Sequence, residues 1–347
     1  MNRFVRIALP LVPACRNVRR LPFLALLTVL ITMQWEALDG AEQPFRIGII
    51  GLDTSHAVAF TELINGAEAG SELASCRIVA AYPKGSPDIE SSVVRVPRYT
   101  EQVRQQGVEI VDSIDALLER VDGVLLETND GRPHREQLQP VLKAKKPVFI
   151  DKPVAGSLRD AVAIFAQAEA AGVPVFSSSS LRFAESAQQI RQGGIGQVIG
   201  CDAYGPCSLE AHHPDLFWYG IHGVETLFTI MGTGCQRVVR MSSEGTDLVV
   251  GEWAGGRIGT FRGIREGKGG YGGTAFGSDD VRTLSKYDGY APLVVEIVRF
   301  FHTGKPPVTA AETLEIYAFM EAADESKRRG GVPVTLEEVL RAARETN

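Results

Sequence analysis

The stretch FRIGIIGLDTSHAVA at residues 45–59 constrains the fold of this chain more than any other. An Ile-rich apolar run is interrupted by Gly51, then come Asp53, Thr54, Ser55 and His56, then helix formers. Strand, tight glycine turn and capped helix is the order in which a dinucleotide-binding α/β fold opens. Gly51 lets the chain turn sharply. The helix behind it offers free N–H groups and the positive end of its dipole, where a pyrophosphate can rest. Gly48, Gly51, Asp53, Thr54, Ser55 and His56 are therefore the candidate cofactor cradle. Read as G-x-G-x-x-G, the fingerprint is incomplete, because Asp53 and His56 replace the second and third glycines. A carboxylate at the second position repels phosphate at close range. Asp53 escapes that conflict if it turns back onto its own helix as the N-cap, with Thr54 and Ser55 as rival caps.

Strand and helix then alternate. After a helix at 57–70, CRIVAAY at 76–82 reads as a second strand. Such strands usually end in an acidic residue that holds the adenosine ribose. This one runs instead into Pro83, Lys84, Gly85 and Ser86. Lys84 and Ser86 suit a 2′-phosphate and tilt the expectation from NAD toward NADP, although the same residues make an ordinary turn. A short apolar stretch at 108–111 and a helix at 114–120 lead to VDGVLLE at 121–127, a buried-strand run. A polar loop holding Thr128, Asn129 and His134 follows, then a helix at 135–145 with Leu138, Val141 and Leu142 at helical spacing. The strand 148–150 ends at Asp151 and Lys152. The pattern predicts a doubly wound, mostly parallel sheet covered on both faces. Ligands bind beyond the carboxyl ends of such strands, where these polar clusters collect.

Residues 1–41 read as an export leader. Arg16, Arg19 and Arg20 precede an almost wholly apolar run at 21–33, and Gly40 and Ala41 follow. The run is shorter than the ~20 residues a membrane span needs, so the mature chain is expected to be exported to the periplasm or beyond, with a retained anchor as the alternative. A net charge of −6 leaves no electrostatic footprint for nucleic acid. Cys76, Cys201, Cys207 and Cys235 form no C-x-x-C pair and suit either an oxidising compartment or buried free thiols.

In the second half, 173–178 closes the first domain, and the serines at 177–180 with Arg182 form a polar mouth. Strands are expected at 197–204, 237–242, 248–253 and 257–262. The glycine-rich segment 263–277 reads as hairpins forming a mobile flap. The densest chemistry is EAHHPDLFWYGIHGVE at 210–225. It reads as a helix capped by Asp215, with Glu225 three residues after His222 and on the same face, placed to orient the His222 ring. His212, His213, Asp215 and His222 have poor spacing for a metal, and none is expected there.

Taken in order, several segments resemble the Gfo/Idh/MocA family, the glucose–fructose oxidoreductase and inositol dehydrogenase group. They are the opening IGIIGL, the loop ending at His134, KPVFIDKPVAGSLRDAVAIFAQAEAAGVPVF around Lys152, LRF at 181–183, GIHGVE around His222, and the closing segment 300–334. The resemblance implies a Rossmann domain at 45–178. It further implies a C-terminal α/β domain at 179–335 with a large open, mainly antiparallel sheet, one face of which suits a homo-oligomer. It implies an NAD(P)-dependent oxidoreductase acting on a sugar, sugar acid or cyclitol. Lys152 and His222 would be its proton-exchanging groups, and Arg182, Asp215, Trp218, Tyr219, His222 and Glu225 would face the substrate. Trp218 is a departure, since many members carry Asp four residues before this His. That departure keeps two other readings open. One is transient use of tightly bound NAD by a glycosidase, lyase or epimerase; the other is a cofactor-free sugar-binding or scaffold protein.

Overall fold

Six parallel strands form the first sheet: β1 (Phe45–Ile50), β2 (Cys76–Tyr82), β3 (Glu109–Ile110), β4 (Gly123–Leu126), β5 (Val148–Ile150) and β6 (Val175–Phe176). A computed structural model describes residues 43–68, 70–284 and 287–345, so the leader read at 1–41 lies outside the described residues. The strand order is β3-β2-β1-β4-β5-β6, a doubly wound sheet whose order reverses between β1 and β4. Every residue of β4 and β5 is buried, as expected for parallel strands covered on both faces.

The helices that matter for the site are α1 (Ser55–Asn65), α2 (Glu90–Gln105), α3 (His134–Lys143) and α4 (Leu158–Ala171). Thr54, not Asp53, is the N-cap of α1, its hydroxyl accepting from the His56 N–H at 3.4 Å. The sequence pattern did not announce α2, which carries Pro97 in its interior and has few apolar positions.

A second sheet of seven strands follows: β7 (Val198–Pro206), β8 (Cys235–Ser242), β9 (Thr246–Trp253), β10 (Ile258–Ile264), β11 (Gly272–Gly277), β12 (Val281–Leu284) and β13 (Val334–Thr335). Its order is β12-β11-β7-β10-β9-β8-β13, antiparallel except where β7 meets β10. The expected flap is in part a strand, since β11 pairs with both β7 and β12. Gly273 makes that possible, because a Cβ there would run into the Asp202 carbonyl.

Helix α5 (Ile221–Met231) is buried along its whole length. At Gly223 a Cβ would strike the Phe261 ring of β10, so glycine lets α5 sit close on the sheet. The other face leaves Ile199, Met241 and Ile258 more than half exposed. Helix α6 (Ala291–Thr303) returns to the first sheet, where Val294, Ile297 and Phe300 share a core with Ile47, Ile49 and Phe60. Both sheets belong to one compact unit, residues 44–347. No helix among the described residues is long and apolar enough to cross a membrane. Cys76, Cys201, Cys207 and Cys235 are free and buried, and burial pushes the Cys76 thiol up to about 11.

Candidate active site

The site is assembled at the carboxyl ends of β1, β4 and β5. Gly51 has φ 95°, a conformation glycine adopts freely, and a Cβ there would collide with the backbone of Thr128. The turn therefore brings the loops after β1 and β4 into contact. Asp53 is fully buried and faces those loops, not the start of α1. Its carboxylate accepts from the Asn129 N–H at 2.9 Å and from the Ser92 hydroxyl at 2.7 Å. Burial raises its pKa, and those two bonds pull the other way.

With Asp53 turned aside, the first turn of α1 carries no acidic residue. Thr54, Ser55 and His56 open onto a cavity of about 200 Å³, together with Arg95 of α2 and Asn129. The far wall is Lys152, Ser180, His222 and a set of tyrosines, Tyr219, Tyr271, Tyr287 and Tyr290. The structure thus brings Lys152 and His222 to one cavity.

Lys152 and Asp151 point the same way, against the alternation expected of a strand. The strand ends at Ile150, and the Lys152 ammonium lies 3.7 Å from the Asp151 carboxylate. His56 Nδ1 is 2.9 Å from the same carboxylate, and its ring stacks on Phe60 and meets Tyr290 edge-on. Burial works against the charge of Asp151, yet His56 and Lys152 hold it well below the usual carboxylate range.

His222 is oriented by Ser179, whose hydroxyl meets Nδ1 at 2.8 Å, and not by Glu225. Burial, reinforced by the charge of Lys152 nearby, lowers the His222 pKa well below 6.5. Glu225 instead anchors the serine loop. It accepts from the Ser179 N–H at 2.8 Å, from the Ser178 hydroxyl, and from Arg182 Nε at 2.7 Å. Arg182 also donates to Glu312 at 2.7 Å, so it is spent on two carboxylates away from the cavity wall.

Other expected site residues lie elsewhere. Asp215 does not cap its helix; Pro214 holds that position and Asp215 pairs with Arg240 at 2.9 Å and Lys327 at 2.6 Å. Trp218 packs on the His213 ring. Gly48 faces Leu117 and Val121, a packing glycine under the sheet. Thr128 donates to Gln137 at 3.0 Å, and both His134 nitrogens meet backbone carbonyls, Thr128 at 2.8 Å and Val154 at 3.0 Å. Lys84 is exposed, and Ser86 donates to Asp130 at 2.6 Å. His212 and His213 diverge from His222: His212 bonds Glu210, and His213 meets Asp130 at 3.1 Å. Tyr219 lines the cavity as expected, whereas Arg95, Glu127, Tyr271, Tyr287 and Tyr290 were not singled out by sequence reasoning.

Residues 45–179 match the model of an oxidoreductase family with an NAD-binding Rossmann fold, GFO_IDH_MocA. The match makes this segment similar to the NAD-binding domain of that oxidoreductase family. No curated protein matches it. Among solved structures it is similar to a probable dehydrogenase from Thermotoga maritima, with 21% identity, 85% of this chain and 100% of that one covered, and TM-score 0.70. It is also similar to scyllo-inositol dehydrogenase from Lactobacillus casei with bound NAD(H) and scyllo-inositol, at 15% identity, 85% and 100% coverage and TM-score 0.68. A third is a putative myo-inositol dehydrogenase from Sinorhizobium meliloti, at 15% identity, 84% and 99% coverage and TM-score 0.68.

Asp53 and His56 decide whether this glycine loop fits a dinucleotide. The phosphate end fits: the α1 N-terminus is free of acid, Asp53 faces away from it, and Arg95 supplies a cation. The end of β2 offers no acidic residue, and the nearby carboxylate is Asp130 of the β4 loop.

Proposed function

We propose that this chain catalyses NAD-dependent hydride exchange at a hydroxyl or carbonyl carbon of a small polyhydroxylated substrate, a sugar, sugar acid or cyclitol. One observation carries the reading. A single cavity runs from the amino end of α1 to both Lys152 and His222. Its tyrosine and serine lining offers hydroxyls to a polyhydroxylated ligand.

The α1 N–H groups and Arg95 would hold the pyrophosphate, and the nicotinamide, when bound, accepts or returns a hydride. Lys152 would bind the reacting oxygen and stabilise the negative charge that develops on it. His222 has one nitrogen engaged by Ser179 and one left for a ligand. Because its pKa is lowered, the ring is neutral at physiological pH and can take the hydroxyl proton. Tyr219 and Tyr271 stand edge-on to it, at 5.4 and 5.9 Å, and limit its rotation. NAD is favoured over NADP: Ser86 is committed to Asp130, and a 2′-phosphate near it would face the carboxylates of Asp130 and Asp88.

The test is formation of NADH from NAD across a panel of sugars, sugar acids and cyclitols, followed by a pH profile on the best substrate. Oxidation requires neutral His222, so kcat/KM is expected to hold constant downward through pH 6.5 and to fall only below it. An acid limb at or above 6.5 would remove His222 as the base. Absence of NADH with every substrate, alongside nucleotide released by heat denaturation, would favour transient use of a tightly held cofactor.

A further inference from the structure

Beneath the cavity floor lies a second cluster that the hydride chemistry does not use. Glu127, the residue after β4, is fully buried, and neither of its carboxylate oxygens meets a hydrogen-bond partner among the described residues. The Oδ1 atom of Asp151, also fully buried, is in the same position. One ligand atom from each of His56, Glu127 and Asp151 lies within 4.8 Å of the others. We propose that these three side chains form a site for a first-row divalent cation such as Zn²⁺ or Mn²⁺.

A carboxylate taken out of water without a partner costs several kcal/mol, so natural chains rarely leave one in that state. Lys152 does not solve the problem. Its ammonium sits 3.7 Å from Asp151 and favours the charge on Glu127 only through space, bonding neither of its oxygens, while burial works against that charge. A proton on Glu127 removes the charge and makes one oxygen a donor, but its other oxygen stays without a partner. A divalent ion satisfies Glu127 and Asp151 together. One nitrogen and two carboxylate donors, convergent and dry, are a ligand set that Zn²⁺ and Mn²⁺ accept.

The second-sphere geometry is already in place. The His56 ring is fixed between Phe60 and Tyr290, and its Nδ1 faces Asp151 at 2.9 Å, so both reach one ion by a small separation. His56 and Lys152 line the cavity while Glu127 and Asp151 lie behind them. The remaining positions of the ion would therefore open toward the cavity, where a substrate hydroxyl or carboxylate could complete its shell. His56 stands where the dinucleotide fingerprint has its third glycine, which gives that departure a chemical purpose.

Metal binding is read without turnover, so this inference and the redox reading fail separately. Full-length protein, stripped with EDTA and dialysed, is titrated with ZnCl₂ and with MnCl₂ by calorimetry, and its melting temperature is followed in parallel. The expected result is one high-affinity equivalent per chain and a higher melting temperature with the ion. Glu127→Gln keeps the shape and removes the buried charge, so it is expected to fold as well as the parent in the absence of metal. Its affinity should fall at least about 100-fold, and His56→Asn should do the same. Two outcomes would overturn the site: no stoichiometric binding, or binding that both variants retain. In either case Glu127 carries a proton instead.

Discussion

Glu225→Ala is expected to destabilise the fold by about 3–5 kcal/mol, the usual penalty for removing one partner of a buried ion pair. Arg182 is 2% exposed and Glu225 4% exposed, and they meet at 2.7 Å. Burial alone would lower the Arg182 pKa, but Glu225 and Glu312 together raise it, so the guanidinium depends on both. Without Glu225 it retains only Glu312, which Arg191 shares at 3.2 Å. The Ser179 N–H loses its acceptor as well, and an unsatisfied buried donor costs about 1–3 kcal/mol. Urea unfolding of the variant is the check. The double variant Glu225→Ala with Arg182→Met removes the stranded charge, so its loss should be clearly smaller than that of Glu225→Ala alone. A single-variant loss below about 1 kcal/mol would show that the pair is weaker than its geometry implies.

The largest effect on activity is expected from Lys152→Met, which keeps much of the aliphatic stem and removes the ammonium. Lys152 lines the cavity together with His222, and its side chain is only 9% exposed. Loss of a positioned proton-exchanging or charge-stabilising group costs about 10²–10⁴ in rate. The loss should fall on kcat more than on KM, because the charge is needed most when the substrate oxygen becomes negative. Folding should survive, since Asp151 keeps His56 at 2.9 Å. Turnover within about threefold of the parent would place Lys152 outside the mechanism.

Much of this was legible in the chain. The strands at 76–82 and 148–150 fall where their apolar runs put them, because parallel strands buried on both faces leave an unbroken hydrophobic signature. The turn at Gly51 followed from the glycine that ends its apolar run, and the meeting of Lys152 with His222 in one cavity was what the family resemblance implied. What escaped depended on tertiary contacts with no local period. Helix α2, interrupted by Pro97, carries Ser92 and Arg95, and they turn Asp53 away from the α1 terminus and supply the cation beside it. Asp53 read alone looked like a cap or an obstacle, yet Thr54 takes the cap and Asp53 ties its own loop to the β4 loop and to α2. Glu225 looked like a partner for His222 at helical spacing, but Arg182 and the serine loop compete for it and win. Glu127 ended a strand-like run, and nothing in that run shows that both its oxygens would be dry.

The central claim is that a dinucleotide rests on the amino end of α1. Titrating NADH fluorescence with the full chain and with Ser55→Glu tests it most directly. Ser55 is exposed, opens α1 and lines the cavity, and a glutamate there suits the helix dipole while repelling a phosphate. One NADH per chain is expected for the parent. The variant should bind at least about tenfold more weakly, about 1.4 kcal/mol, with an unfolding midpoint equal or higher. No saturable binding by the parent, or equal binding by the variant, would contradict the account.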